Sequence, residues 1–212
     1  HNSIIANIGA IKPDDRNKIS KAKVFIRGKD KPVEPASGHK IVSKTVEELV
    51  KLSLVDYGEL DLLDQDYHAN EHTDYWHEAL CNESFSIKNF QNWLICNKEA
   101  ITTKLQDKTL NIKFWRWAKK NLKENVSCLS GLPIFVKGDN APRVLSGEIY
   151  FSDEYLDTSI ESLVTAVAPN APILTSDYIS LDENKKDWVD FWTKLGVQEN
   201  EVEVLENVIR TR

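Results

Sequence analysis

The stretch Gly131-Leu132-Pro133-Ile134-Phe135-Val136, followed by Glu148-Ile149-Tyr150-Phe151 and closed by Asp187-Trp188-Val189-Asp190-Phe191-Trp192-Thr193-Lys194-Leu195-Gly196-Val197, decides the fold. Its first two parts are short runs of β-branched and aromatic residues bounded by glycine and proline, the pattern of brief strands. In the third, Trp188, Phe191, Trp192 and Leu195 recur at intervals of three and four residues, so they share one face of a helix. Gly196 is the natural C-cap, because glycine enters the left-handed region without a Cβ penalty. The face is too aromatic for a solvated helix, so Trp188, Phe191 and Trp192 are expected inside. Val144-Leu145 adds a further strand, and Ser159 to Ala166 reads as a short helix. Pro169 and Pro172 break the chain before Ile173-Leu174. Val202, Leu205 and Ile209 form a final amphipathic helix.

Upstream of Asn125 the periodicity is helical. Leu80 lies four residues after Trp76, and Phe90, Trp93 and Leu94 repeat the spacing, as do Ile101 and Leu105. Phe114, Trp115, Trp117 and Ala118 make the last of these helices broadly apolar, with Lys119, Lys120 and Lys123 near its C-terminus, where they favour the dipole. Ser86 and Asn111 read as N-caps. Thr45 and Glu48 have capping-box spacing at another helix start. Lys23-Val24-Phe25-Ile26-Arg27-Gly28 is one early strand. The expected class is α+β: a mostly helical region over 1–125, then a small α+β region over 126–212. The second region holds a small mixed or antiparallel sheet and C-terminal amphipathic helices. The boundary near 125 is soft enough for one domain.

At 212 residues the chain is long enough to bury a core. Its formal charge of −6 argues against long nucleic acid, whose affinity comes mostly from phosphate neutralisation. No run of about 18 apolar residues is present, so no transmembrane helix and no membrane partner are expected. Cys81, Cys96 and Cys128 are odd in number and widely spaced, which fits a reducing compartment and a cytoplasmic setting. Cys96, among Trp93, Leu94 and Ile95, reads as a buried inert thiol. The start, His1-Asn2-Ser3, carries no signal-peptide pattern, and without an initiator methionine it reads as part of a longer protein.

The metal-like cluster is His68-Ala69-Asn70-Glu71-His72, followed by His77. On a helix, His68 and His72 would share a face, and the His-x-x-Glu-His order matches an inverted zincin. There the glutamate would activate a zinc-bound water in a metal-dependent hydrolase. The flanks Asp64, Asp66, Thr73 and Asp74 read instead as a solvated loop. Asp61, Asp64, Asp66 and Glu71 lack the glycine that an EF-hand loop needs. Trp115 and Trp117, with Lys119 and Lys120, offer aromatics interleaved with base, a combination that binds single-stranded nucleic acid. The competing reading makes the tryptophans core and the lysines the wet face. Asp153, Glu154 and Asp157 could pair as carboxylates, but they read as the exposed side of a turn. There is no phosphate loop, dinucleotide fingerprint or serine nucleophile elbow.

Several signatures carry a resemblance: Leu132-Pro133-Ile134, Ile149-Tyr150-Phe151-Ser152-Asp153-Glu154-Tyr155-Leu156, Ser176-Asp177-Tyr178-Ile179 and Trp188 through Val197. Their order, with the helical Phe90–Leu94 and Ile112–Trp117 stretches before them, resembles the region downstream of the nucleotide-binding domain in large Hsp90-like (GHKL-type) ATPase proteins. These are the sacsin-like and plant NO VEIN-like families and their bacterial relatives. The similarity covers about half the chain. It implies a non-catalytic interaction or scaffold module that transmits conformational change or holds a protein partner. Its partners would include other domains of the same polypeptide. ATP and Mg would belong to an upstream domain. The resemblance supplies no cofactor and no catalytic residue for this segment.

Overall fold

A computed structural model describes residues 23–25, 27, 29–33, 40–55, 60, 62–64, 83–122, 126–145, 148–156, 160–179 and 184–198. The class is α+β, with six α-helices and two short two-stranded pairings among the described residues. The chain divides into two compact units, His1–Trp93 and Leu94–Arg212.

In the first unit the strand expected over 23–28 is reduced, among the described residues, to a single bridge at Val24, with Arg27 in a turn. Val24 and Val33 exchange backbone bonds of 2.8 Å, Arg27 N donates to Leu62 O at 2.8 Å, and Asp64 N donates to Phe25 O at 3.1 Å. Strand β1 (Lys40–Val42) lies parallel to β2 (Glu83–Phe85), with Ile41 opposite Ser84. Helix α1 (Lys44–Lys51) follows β1 at once. The capping box expected at Thr45 is therefore not its start. Ser43 is the N-cap residue, its N–H committed to Phe85 O at 3.2 Å, and Thr45 lies inside the first turn. Val46, Leu49 and Val50 recur at helical spacing and are buried, as is Ile41. The helix closes in a Schellman arrangement: Leu54 N donates to Leu49 O at 3.0 Å and Ser53 N to Val50 O at 2.9 Å. Ser53 takes the left-handed position at φ 55 that glycine would occupy without strain.

Arg27 Nη2 sits 3.1 Å from both oxygens of Glu47, and Arg27 Nε donates to Leu63 O at 2.9 Å. Both side chains of this pair are only 11% exposed. No sequence pattern points to it, because the partners lie 20 positions apart.

Helix α2 (Ile87–Cys96) starts where expected, with Ser86 Oγ accepting from Asn89 N at 3.4 Å and Asn89 Oδ1 accepting from Ser86 N at 3.1 Å. Near its end Cys96 is exposed, not buried, and so is Ile95, because the inward stripe of α2 runs through Phe90 and Leu94 instead. Helices α3 (Lys98–Lys104) and α4 (Lys108–Asn121) follow.

Beyond α4, β3 (Pro133–Ile134) pairs antiparallel with β4 (Arg143–Val144). Single bridges extend this pairing into a small mixed ladder. Val136 pairs antiparallel with Leu174, and Tyr150 pairs parallel with Ile173 and with Gln198. Helix α5 (Ile160–Val167) buries Val164 against Tyr150 and Ile173. Helix α6 (Lys185–Thr193) has Trp188, Phe191 and Trp192 buried, as their spacing requires. Its end is a second Schellman arrangement, with Val197 N donating to Trp192 O at 3.1 Å and Gly196 N to Thr193 O at 2.9 Å. Gly196 holds the left-handed position at φ 94. No helix among the described residues is long and apolar enough to cross a membrane.

Candidate functional site

The second unit is organised by α4, and its sequence explains why. Asp107 precedes the helix and its carboxylate accepts from Leu110 N at 2.8 Å, so Asp107 is the N-cap. Asn111 is therefore not a cap, as its residue type suggests, but sits one turn inside, fully buried. Phe114, Trp115, Trp117 and Ala118 form the rest of the inner face.

A buried polar side chain must find partners or cost its full desolvation. Asn111 finds three. Its Nδ2 donates to Leu105 O and to Pro133 O, both at 2.9 Å, and its Oδ1 accepts from the Tyr178 hydroxyl at 2.8 Å. The same hydroxyl accepts from Phe135 N at 2.8 Å, and Trp115 Nε1 donates to Pro133 O at 3.1 Å. Helix, sheet and the 3-10 turn Ser176–Tyr178 are thus joined by neutral bonds. Burial pushes the Tyr178 phenol far above its ordinary pKa, because the charged phenolate would be poorly solvated there. Tyr155, whose hydroxyl donates to Thr175 O at 2.9 Å, is pushed up well above 10.0 for the same reason. Around this network the rings close-pack: Trp115 to Trp192 at 4.9 Å, Tyr178 to Trp192 at 5.2 Å and Trp188 to Trp192 at 6.0 Å.

Charged groups grip the outside of the same turn. Arg116 Nε donates to Tyr178 O at 3.0 Å, and its Nη2 to Asp177 O at 2.9 Å and Ile179 O at 3.4 Å. Lys108 pairs with Asp177 at 2.7 Å, and this bond holds the Asp177 carboxyl below its usual range. Farther along, Lys137 Nζ lies 2.9 Å from Glu154 and 2.7 Å from Glu161. Glu161 accepts from Asp153 N at 3.1 Å while Asp153 accepts from Glu161 N at 3.0 Å, a reciprocal brace at the start of α5. Lys137 holds Glu154 below its usual range. Burial alone would lower Lys137, but the bonds and charges of the two glutamates outweigh it and raise the lysine. A carboxylate kept ionised by a lysine is a poor proton donor near neutral pH, and a lysine kept protonated is a poor nucleophile.

The residues singled out from sequence fare differently. His68, His72 and His77, with Glu71, lie outside the described residues, as do Asp61, Asp66 and Cys81. Among the described residues no group of three or more His, Cys, Asp or Glu side chains could hold a metal ion. Trp115 is fully buried and Trp117 is 3% exposed, so neither ring offers a face on which a base could stack. Lys119 is half-buried with its ammonium 5.0 Å over the Trp188 ring, and Lys120 is exposed. Sequence reading noticed Asn111 as a cap and Tyr178 within a signature but not the organising roles that these two and Arg116 take, because their partners lie up to 67 positions away. Comparison with known proteins matches the chain to no family model, no curated protein and no solved structure.

Proposed function

We propose that this chain is a non-catalytic interaction or scaffold module of a larger Hsp90-like ATP-binding protein, which transmits conformational change or holds a partner. One observation carries the reading. Three of the signatures behind the resemblance, those holding Pro133, Tyr178 and Trp192, meet around one buried network. Pro133 of the Leu-Pro-Ile signature supplies the carbonyl shared by Asn111 and Trp115. Tyr178 of the Ser-Asp-Tyr signature closes the network, and Trp192 of the aromatic helix packs on both Trp115 and Tyr178. Residues used in this way specify a rigid body, because a satisfied buried network fixes one arrangement of the elements around it.

The reading is tested by titrating the isolated chain with Mg-ATP in a calorimeter. The expected result is no binding heat and no turnover by this chain, while the larger protein of the proposal hydrolyses ATP. Tight ATP binding by this chain alone would overturn it.

A further inference from the structure

Helix α4 has two unlike faces. The inner face carries the aromatic core and the Asn111 network. The outer face carries Lys108, Lys113, Arg116, Lys119 and Lys120, and the helix contains no acid, within a chain of net charge −6. Three of these cations are engaged: Lys108 with Asp177, Arg116 with the carbonyls of 177–179, and Lys119 over Trp188. Lys113 and Lys120 are exposed and have no hydrogen-bond or ion-pair partner among the described residues. They stand seven residues apart, two turns along the same stripe, so their Cα atoms are separated by about 10 Å along the axis. Both belong to a helix anchored from beneath, which keeps the two charges on a rigid base.

We infer that this outer face of α4 is a docking surface for an acidic, helical segment of a protein partner; the inference rests on the interaction-module reading above. Carboxylates at matching two-turn spacing on the partner would meet Lys113 and Lys120, with Thr109 and the rim of Arg116 between and beside them. Nucleic acid is the poorer match. Its affinity grows with the number of phosphates neutralised, only Lys113 and Lys120 stand unengaged on this helix among the described residues, and the nearby indoles are buried.

The test uses a labelled synthetic helical peptide with glutamates at i and i+7, titrated with the chain at low ionic strength and read by fluorescence anisotropy. The expected result is binding that weakens as salt is added. It should weaken about tenfold in the Lys113→Glu/Lys120→Glu double variant. It should stay unchanged in a Lys185→Glu/Lys186→Glu control of equal charge, with near-ultraviolet dichroism confirming that both variants keep the packed tryptophans. Absence of peptide binding by the unaltered chain, or equal losses in both double variants, overturns the docking face. Tighter lysine-dependent binding of a short oligothymidylate overturns it in favour of a nucleic-acid surface. If the peptide fails to bind and ATP also fails to bind, only the docking face is lost; ATP binding removes the module reading itself.

Discussion

The two units solve the same problem, a polar group under an apolar shell, in opposite ways. In the first, the answer is an ion pair, Arg27 with Glu47, set where each side chain keeps 11% of its surface. In the second it is neutral: Asn111, Tyr178 and Trp115 share carbonyl and hydroxyl partners with no charge among them, and Asn111 and Tyr178 are fully buried. The difference teaches where each device is affordable. A pair of charges loses hydration that only excellent geometry and residual water return, so it sits near the margin. Amide and hydroxyl groups lose less, so they can lie beneath aromatic rings if every bond is made. The surrounding cores differ to match. Aliphatic residues such as Val46, Leu49 and Leu54 line the first, and Trp115, Trp188 and Trp192 dominate the second.

That contrast can be broken most forcefully in the aromatic core. Trp192→Ala removes the ring that touches Trp115, Tyr178 and Trp188, and should cost about 4 kcal/mol of stability, read from urea unfolding. A loss under about 1 kcal/mol would mean that the cluster is not the centre of the second unit. Glu47→Ala leaves Arg27 without its countercharge and should cost about 3 kcal/mol, with loss of structure beginning in the first unit by hydrogen exchange. If the variant is as stable as the parent, the pair is merely a surface contact.

The neutral network gives the smallest effect and the sharpest signature. Tyr178→Phe leaves Phe135 N–H and Asn111 Oδ1 without this partner and should cost about 2 kcal/mol at neutral pH. Because burial raises the folded pKa of Tyr178 above its ordinary 10.0, the unfolded chain releases that proton first as pH rises. The contribution is thus fully present below pH 10 and lost as pH climbs toward the folded value. Unfolding curves between neutral and strongly alkaline pH should therefore show a shallower alkaline decline in Tyr178→Phe than in the parent. Parallel declines would place the phenol in water.

Local signals were the legible part of this chain. The aromatic face of α6 and its Gly196 cap follow from spacing and from glycine, which act within a few residues, whereas the run Ile134-Phe135-Val136 overlaps the observed strand Pro133–Ile134 only at Ile134. Asn111 shows why the rest was not legible. Asparagine and aspartate both favour caps, and choosing Asp107 over Asn111 requires knowing that Pro133 and Tyr178 arrive from afar. Cys96 failed for a related reason. Apolar neighbours in sequence do not share a helix face, and only the inward stripe is covered. The tryptophans of α4 were readable either as core or as a stacking surface, and burial decides for core.

The direction of the protons in the Asn111 network narrows the choice of residue at that position to a single letter. The site needs two donors and one acceptor on a short, flat side chain: two for the carbonyls of Leu105 and Pro133, one for the Tyr178 hydroxyl. Aspartate has the shape but would set a carboxylate against two carbonyl oxygens, and leucine has the volume but no bonds to give. Glutamine carries the right atoms one methylene too far into a close-packed interior. What looks in the sequence like an interchangeable polar residue is, in the folded chain, tied to three separate partners by the direction of its bonds.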